Sequence, residues 1–230
     1  MKSIVSLKKK KTILISQIKL KEQLEWVNNI IEICWESFSA KIGCGLIEIN
    51  KEASMQLNFA YLLKNTVDLA IHHEDEKITI ELETTIPVNG RSREGDVVVK
   101  IEKGDNVFYL PIEMKCYKEL ASSGGKRGAL DIFFKDVFVD IELLESYSKK
   151  EHFLKGIMLV MTDFRNAVFT AKKNGKYWDY DISHGSQIIG AVTKNTSIGG
   201  FDVNINIDGN YNFDWKQYNN FYFLKLENNL

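Results

Sequence analysis

Asp96-Val97-Val98-Val99-Lys100-Ile101-Glu102, Lys103-Gly104-Asp105-Asn106 and Val107-Phe108-Tyr109-Leu110-Pro111-Ile112-Glu113-Met114-Lys115 are the stretch that decides the fold. The two apolar runs, 96–101 and 107–114, predict strands, and residues 103–106 predict the turn between them. With the turn centred between Gly104 and Asp105, Asp96 falls opposite Glu113. Side chains alternate along a strand, so Lys115 shares the face of Glu113 while Ile112 and Met114 point the other way. Three charged groups therefore gather on one face of a hairpin.

The acid-x-Lys spelling alone carries little weight, since Asp75-Glu76-Lys77 and Asp214-Trp215-Lys216 share it. Strand context singles out Glu113-Met114-Lys115. Upstream, Arg91 and Arg93 precede Asp96, and Pro87-Val88-Asn89-Gly90 predicts a turn leading into them. Residues 67–72 and 77–85 read as strands around Glu74-Asp75-Glu76. Residues 16–38 read as an amphipathic helix, with Leu20, Leu24, Val27, Ile31, Cys34 or Trp35, and Phe38 at helical spacing. A second helix is expected over about 50–65, with Asn50 as N-cap and Met55, Phe59, Leu62 and Leu63 facing inward.

Beyond the hairpin, Ala121-Ser122-Ser123-Gly124-Gly125 reads as a loop and 127–148 as a helix buried on more than one side. Asp131, Lys135, Asp136 and Asp140 read as surface charges of that helix. Gly156–Thr162 is a short continuous apolar run, the pattern of a central strand covered on both faces. The region after about 175 is rich in Asn, Gly, Tyr and Asp, with short strands expected at 201–207 and 221–226. No linker interrupts the chain, so residues 1–230 are read as one domain, with a core at about 45–165 and a β-rich extension at about 175–230.

Thirty basic and 31 acidic residues give a net charge of −1, and the hydrophobic fraction is 44%. The core is ample, but no global charge draws the chain to nucleic acid, so any such contact needs a local basic surface. Cys34, Cys44 and Cys116 lack any CxxC spacing, which speaks against a disulfide framework and for a reducing cytoplasm. His72, His73, His152 and His184 show no ligand spacing. Lys8-Lys9-Lys10-Lys11 reads as a solvated tail or strand edge, and no segment approaches transmembrane length, so no membrane partner is expected.

The order helix, strand, hairpin strands, helix, strand, together with Asp96, Glu113 and Lys115, resembles the PD-(D/E)XK nuclease superfamily, which includes type II restriction endonucleases. The resemblance spans roughly residues 45–165. It implies an α/β fold with a restriction-endonuclease-like core, a central mixed β-sheet flanked by helices. It also implies a Mg²⁺-dependent endonuclease acting on DNA, double-stranded most of all, often as a homodimer. Asp96 matches the first motif aspartate, and Glu113 and Lys115 match the (D/E)xK. Glu52 is the candidate for an acid contributed by the preceding helix, with Gln56 one turn further on. One departure is Gly95, where many members have proline.

Mg²⁺ takes hard oxygen ligands and keeps several waters, so Asp96 and Glu113 suffice as its protein ligands, with Glu52 as a further one. Lys115 would orient the attacking water or stabilise charge on phosphorus. Arg91, Arg93, Lys126 and Arg127 are candidate phosphate contacts. Ser122–Gly128 has the look of a phosphate-cradling loop without the GxxxxGK[ST] order. Tyr177-Trp178-Asp179-Tyr180 could stack on bases, although packing is the commoner use of such a run. The competing reading is a solvated Glu113–Lys115 pair with Asp96 as a hairpin charge, or a non-catalytic nucleic-acid-binding or regulatory protein that keeps the fold.

Overall fold

In the computed structural model, residues 2–88, 90–121, 124–170, 172–200 and 202–228 are described, with side chains from residue 21 onward. The chain is α/β, a mixed six-stranded sheet flanked by helices. In chain order the elements are α1 (Lys2–Gly43), α2 (Glu52–Thr66), β1 (Glu76–Val88), β2 (Arg91–Lys103), β3 (Asn106–Tyr117), α3 (Leu130–Ser148), β4 (Ile157–Thr162) and α4 (Arg165–Val168). There follow β5 (Gln187–Ile188), β6 (Val192–Lys194), β7 (Ile205–Ile207), β8 (Tyr211–Asn212), β9 (Lys216–Tyr218) and β10 (Phe221–Glu227). The main sheet runs β1-β2-β3-β4-β10-β9, while β5 pairs with β8 and β6 with β7.

The β2–β3 hairpin has the register expected from its turn: Lys103 pairs with Asn106 and Val97 with Ile112. Gly104 takes φ 55°, the left-handed conformation that a tight two-residue turn demands. β3 then pairs in parallel with β4, with α3 as the crossover. β4 is buried at all six positions, as its unbroken apolar run predicts.

Alternation along the strands splits the core in two. Val97, Val99, Ile112 and Met114 face α1 and α2, where Trp35, Phe38, Met55 and Phe59 complete one cluster. Val98, Tyr117, Met158 and Val160 face α3 and the C-terminal region, where Phe134, Phe138, Phe213 and Tyr222 complete the other. Two strands of the main sheet, β9 and β10, come from the C-terminal region, beyond the 45–165 core expected from the sequence.

Several local expectations are corrected. The first helix begins at Lys2 and runs 42 residues, so Lys8–Lys11 lie in helical backbone and not at a strand edge. Residues 67–70 form a short 3₁₀ helix where a strand was expected: Val67 and Ala70 are buried three apart, a helical spacing. The following His72 and His73 N–H groups donate to Glu76 Oε2 at 2.7 and 3.1 Å, not to a strand ladder. The N-cap of α2 is Lys51, not Asn50, and the Ser54 hydroxyl accepts from the N–H groups of both at 3.0 and 3.1 Å. One expectation holds: Tyr177 and Trp178 pack edge-on against Phe134 and Tyr180 is buried, so the aromatic run packs into the core, the commoner use of such a run. Among the described residues, no helix is long and apolar enough to cross a membrane.

Candidate active site

The β2–β3 ladder stops at the Val97–Ile112 pair, one step short of the Asp96–Glu113 pair expected from the sequence, although β2 continues back to Arg91 and β3 on to Tyr117. Each strand keeps its other neighbour past that point, β2 with β1 and β3 with β4. The sheet therefore forks, and Asp96, Glu113 and Lys115 sit at the fork. The β1–β2 ladder also skips a step here, pairing Leu82 with Val97 and Thr84 with Gly95. The residue between, Glu83, has φ 50°, a left-handed conformation costly for a side chain bearing a Cβ. Gly95 leaves little room, since a Cβ there would lie 3.2 Å from Ile86 Cδ1 and 3.3 Å from Val98 Cγ2.

A fork leaves one edge of β3 without strand partners, and buried N–H groups must be satisfied some other way. Carboxylates do this. Met114 N–H donates to Asp96 Oδ2 at 2.6 Å, and Cys116 N–H donates to Glu52 Oε2 at 3.4 Å. The Gln56 amide donates to the Asp96 carbonyl at 2.5 Å, tying β2 to α2 at the same point. Glu52 thus reaches the fork from α2, where the family resemblance put it, with Gln56 one turn along.

Lys115 is held from two sides. Its ammonium lies 3.3 Å from Glu52 Oε1 and 3.0 Å from Asp140 Oδ2. Asp140, expected to be a surface charge of α3, is buried at 9% exposure and belongs to the site. It is the member that the sequence reading missed. The available signal was weak: Asp140 stands between Val137 and Ile141 among the buried residues of α3, which apart from it and Glu145 are aliphatic or aromatic.

Four carboxylates around one ammonium crowd the fork with negative charge, and burial makes this worse. Glu113 is 4% exposed, and its Oε1 has no hydrogen-bond partner. Burial, then Asp140 and Asp96, push the Glu113 carboxyl well above its usual range. Burial pushes Asp140 up to about 7 against the opposing pull of Lys115. Asp96 is raised by burial despite the Met114 N–H, and Glu52 is raised by burial despite Lys115. Burial alone would lower Lys115, but Asp140 and Glu52 outweigh it and hold the ammonium firmly charged. Burial and the nearby Glu113 push the Tyr147 phenol up. Burial takes the Cys116 thiol up to about 12, so it is no nucleophile at neutral pH.

This donor set fits a hard divalent cation. Glu113 offers an orphaned buried oxygen, and a cation would relieve the carboxylate repulsion. Among the described residues no three His, Cys, Asp or Glu side chains are gathered as a ligand set, so Asp96 and Glu113 would share such an ion with water. Glu52, already engaged by Lys115 and the Cys116 N–H, would join them through its remaining lone pairs.

The site opens into a cleft of about 620 Å³ between the β1–β2 hairpin and α3, lined in part by Arg91, Arg93, Glu94 and Glu142. Of the four basic residues singled out for phosphate contact, Arg91 and Arg93 line it. Lys126 and Arg127 do not; they lie in the loop beyond β3. That loop uses its N–H groups on itself, Gly124 donating to Ala121 and Arg127 to Glu119, both at 2.8 Å. Ser122 and Ser123 lie outside the described residues, and α3 begins only at Leu130, so the loop does not lead directly into a helix N-terminus. The chain matches no protein-family model, no curated protein and no solved structure.

Proposed function

We propose that this chain is a Mg²⁺-dependent endonuclease that hydrolyses DNA phosphodiester bonds, with a restriction-endonuclease-like core of the PD-(D/E)XK kind. The sheet fork carries the reading. A chance Asp…Glu-x-Lys match has no reason to bring all three side chains to one strand divergence, nor to meet a third carboxylate, Glu52, from a separate helix there.

Asp96 and Glu113 would hold the metal, which when bound offsets phosphate charge and acidifies a neighbouring water. Lys115 acts as a fixed cation that stabilises the charge growing on the phosphate oxygens. A role as general base would need a lowered pKa, and its two carboxylate neighbours hold it the other way. Glu52 orients Lys115 and fixes the free edge of β3. Arg91 and Arg93, on the cleft wall, contact the backbone of double-stranded DNA and position the scissile phosphate over Asp96. Cutting both strands takes two such sites, which a homodimer supplies.

One observation favours a second reading, a nucleic-acid-binding or regulatory protein on the same fold. Lys115 is already neutralised by Glu52 and Asp140, as in a purely structural charge cluster. Plasmid and single-stranded DNA, incubated with the protein in Mg²⁺ or EDTA beside Asp96→Ala and Lys115→Ala, separate the two. Mg²⁺-dependent cutting abolished by both substitutions supports the nuclease. Cutting that survives either one removes the proposed site, and binding without cutting supports the second reading.

A further inference from the structure

Asp140 stands outside the Asp…Glu-x-Lys pattern and comes from α3, on the sheet face opposite α2. Its Oδ2 lies 3.0 Å from Lys115 Nζ, while Glu52 holds the same ammonium at 3.3 Å from the α2 side. An isolated carboxylate at 9% exposure would be costly, so the pairing with Lys115 accounts for its burial. Its neighbours on α3 fix the helix: Ile141 and Leu144 are buried, and Glu145 accepts from Asp208 N–H, Gly209 N–H and the Tyr211 hydroxyl at 2.8, 2.8 and 3.0 Å. Asp140 is therefore carried on a rigid support.

We propose that Asp140 is a positioning residue of this site: it anchors the Lys115 ammonium from α3, opposite Glu52, and so sets where Lys115 meets the substrate phosphate. The proposal rests on the nuclease reading for its consequence, but not for the anchor itself. A lysine side chain has many rotamers, and one carboxylate would leave it free to swing about that contact. Two carboxylates from opposite faces leave a single position.

The test compares wild type, Asp140→Asn and Asp140→Glu on plasmid DNA with Mg²⁺, alongside thermal melts and native-state labelling of lysines by an amine-reactive ester read by mass spectrometry. Asp140→Asn keeps the shape and removes the charge. Expected are a kcat loss of about 10- to 100-fold with KM within about twofold, partial recovery in Asp140→Glu, and Lys115 labelled about tenfold faster in Asp140→Asn. Unchanged kcat overturns the proposal, as does a kcat restored by raising Mg²⁺, which would make Asp140 a metal ligand instead. If wild type cuts no DNA, the nuclease reading fails, yet labelling still judges the anchor: an unchanged Lys115 rate overturns it. A melting temperature that collapses in both variants while Lys115 labels no faster than other lysines likewise assigns Asp140 to stability alone.

Discussion

Asp96 Oδ2 lies 2.6 Å from the backbone N–H of Met114, so the carboxylate at the end of one hairpin strand replaces the ladder bond that the partner strand would otherwise supply. This contact holds the fork open and orients Asp96 against Glu113. Charged acceptors make stronger hydrogen bonds than neutral ones, and the N–H would otherwise be stranded at a sheet edge. Asp96→Asn keeps a possible acceptor but loses the charge. Its Mg²⁺-dependent cutting of plasmid is expected to fall at least about 100-fold, with the melting temperature raised or unchanged because carboxylate repulsion is relieved. Retention of more than a tenth of wild-type cutting would remove Asp96 from the chemistry.

Gln56 ties α2 to β2 through the Asp96 carbonyl at 2.5 Å. Gln56→Ala leaves that carbonyl without its donor, at a cost of about 1 kcal/mol in denaturant unfolding. Activity should fall further than stability, because the fork loses its tether to α2. Equal cutting by wild type and variant would show that the tether is merely structural.

The raised carboxyl groups make stability depend on pH in an unusual direction. Asp140 rises from 3.8 to about 7 on folding, and Glu113, Asp96 and Glu52 are also raised. Between pH about 4 and 7 the folded state then binds more protons than the unfolded state. Stability from these groups is present in full below their unfolded values and is lost as pH rises through the folded ones. Glu76 and Glu32 work oppositely. Burial pushes them up, but the Lys103 and Lys225 contacts respectively, with their other partners, outweigh it, so both are lowered and lose stability as pH falls below 4.5. In EDTA, thermal melts should peak near pH 5 and decline toward pH 8, and Mg²⁺ should restore much of the loss at pH 8. A melting temperature that climbs steadily from pH 5 to 8 in EDTA would contradict the buried cluster.

Gly156 leads into β4 where a Cβ would stand 2.4 Å from Leu144 Cδ2 and 2.9 Å from the Pro111 carbonyl. Gly156→Ala must push α3 or β3 aside, at about 1–3 kcal/mol. Because α3 carries Asp140 and β3 carries Glu113, cutting should decline with stability. A calorimetric melt within 1 °C of wild type would show that the site has slack that the geometry denies.

Arg93 lines the cleft and Arg127 does not. Arg93→Ala should weaken binding of duplex DNA, measured in Ca²⁺ or without metal, and reduce the salt slope by about one unit. Arg127→Ala should leave both nearly unchanged. The reverse ranking would move the DNA track to the loop beyond β3.

The hairpin register was legible in the sequence because it depends on local chemistry. Gly104-Asp105 closes a two-residue turn, and the two-residue alternation of Val97, Val99, Ile112 and Met114 fixes which residues face inward. From that alone came the placement of Asp96, Glu113 and Lys115 on one face; Glu52, with Gln56 one helical turn on, came instead from the family resemblance. Tertiary structure decided what sequence spacing cannot encode. The fork arises because β1 and β4 hold their strands apart past Val97 and Ile112. Asp140 reads as a solvated helix charge until the β3-α3-β4 crossover sets it against Lys115. β9 and β10 join the sheet only through pairing with β4, a partner remote in sequence. Local periodicity sets which way a side chain points, and long-range packing sets what it meets.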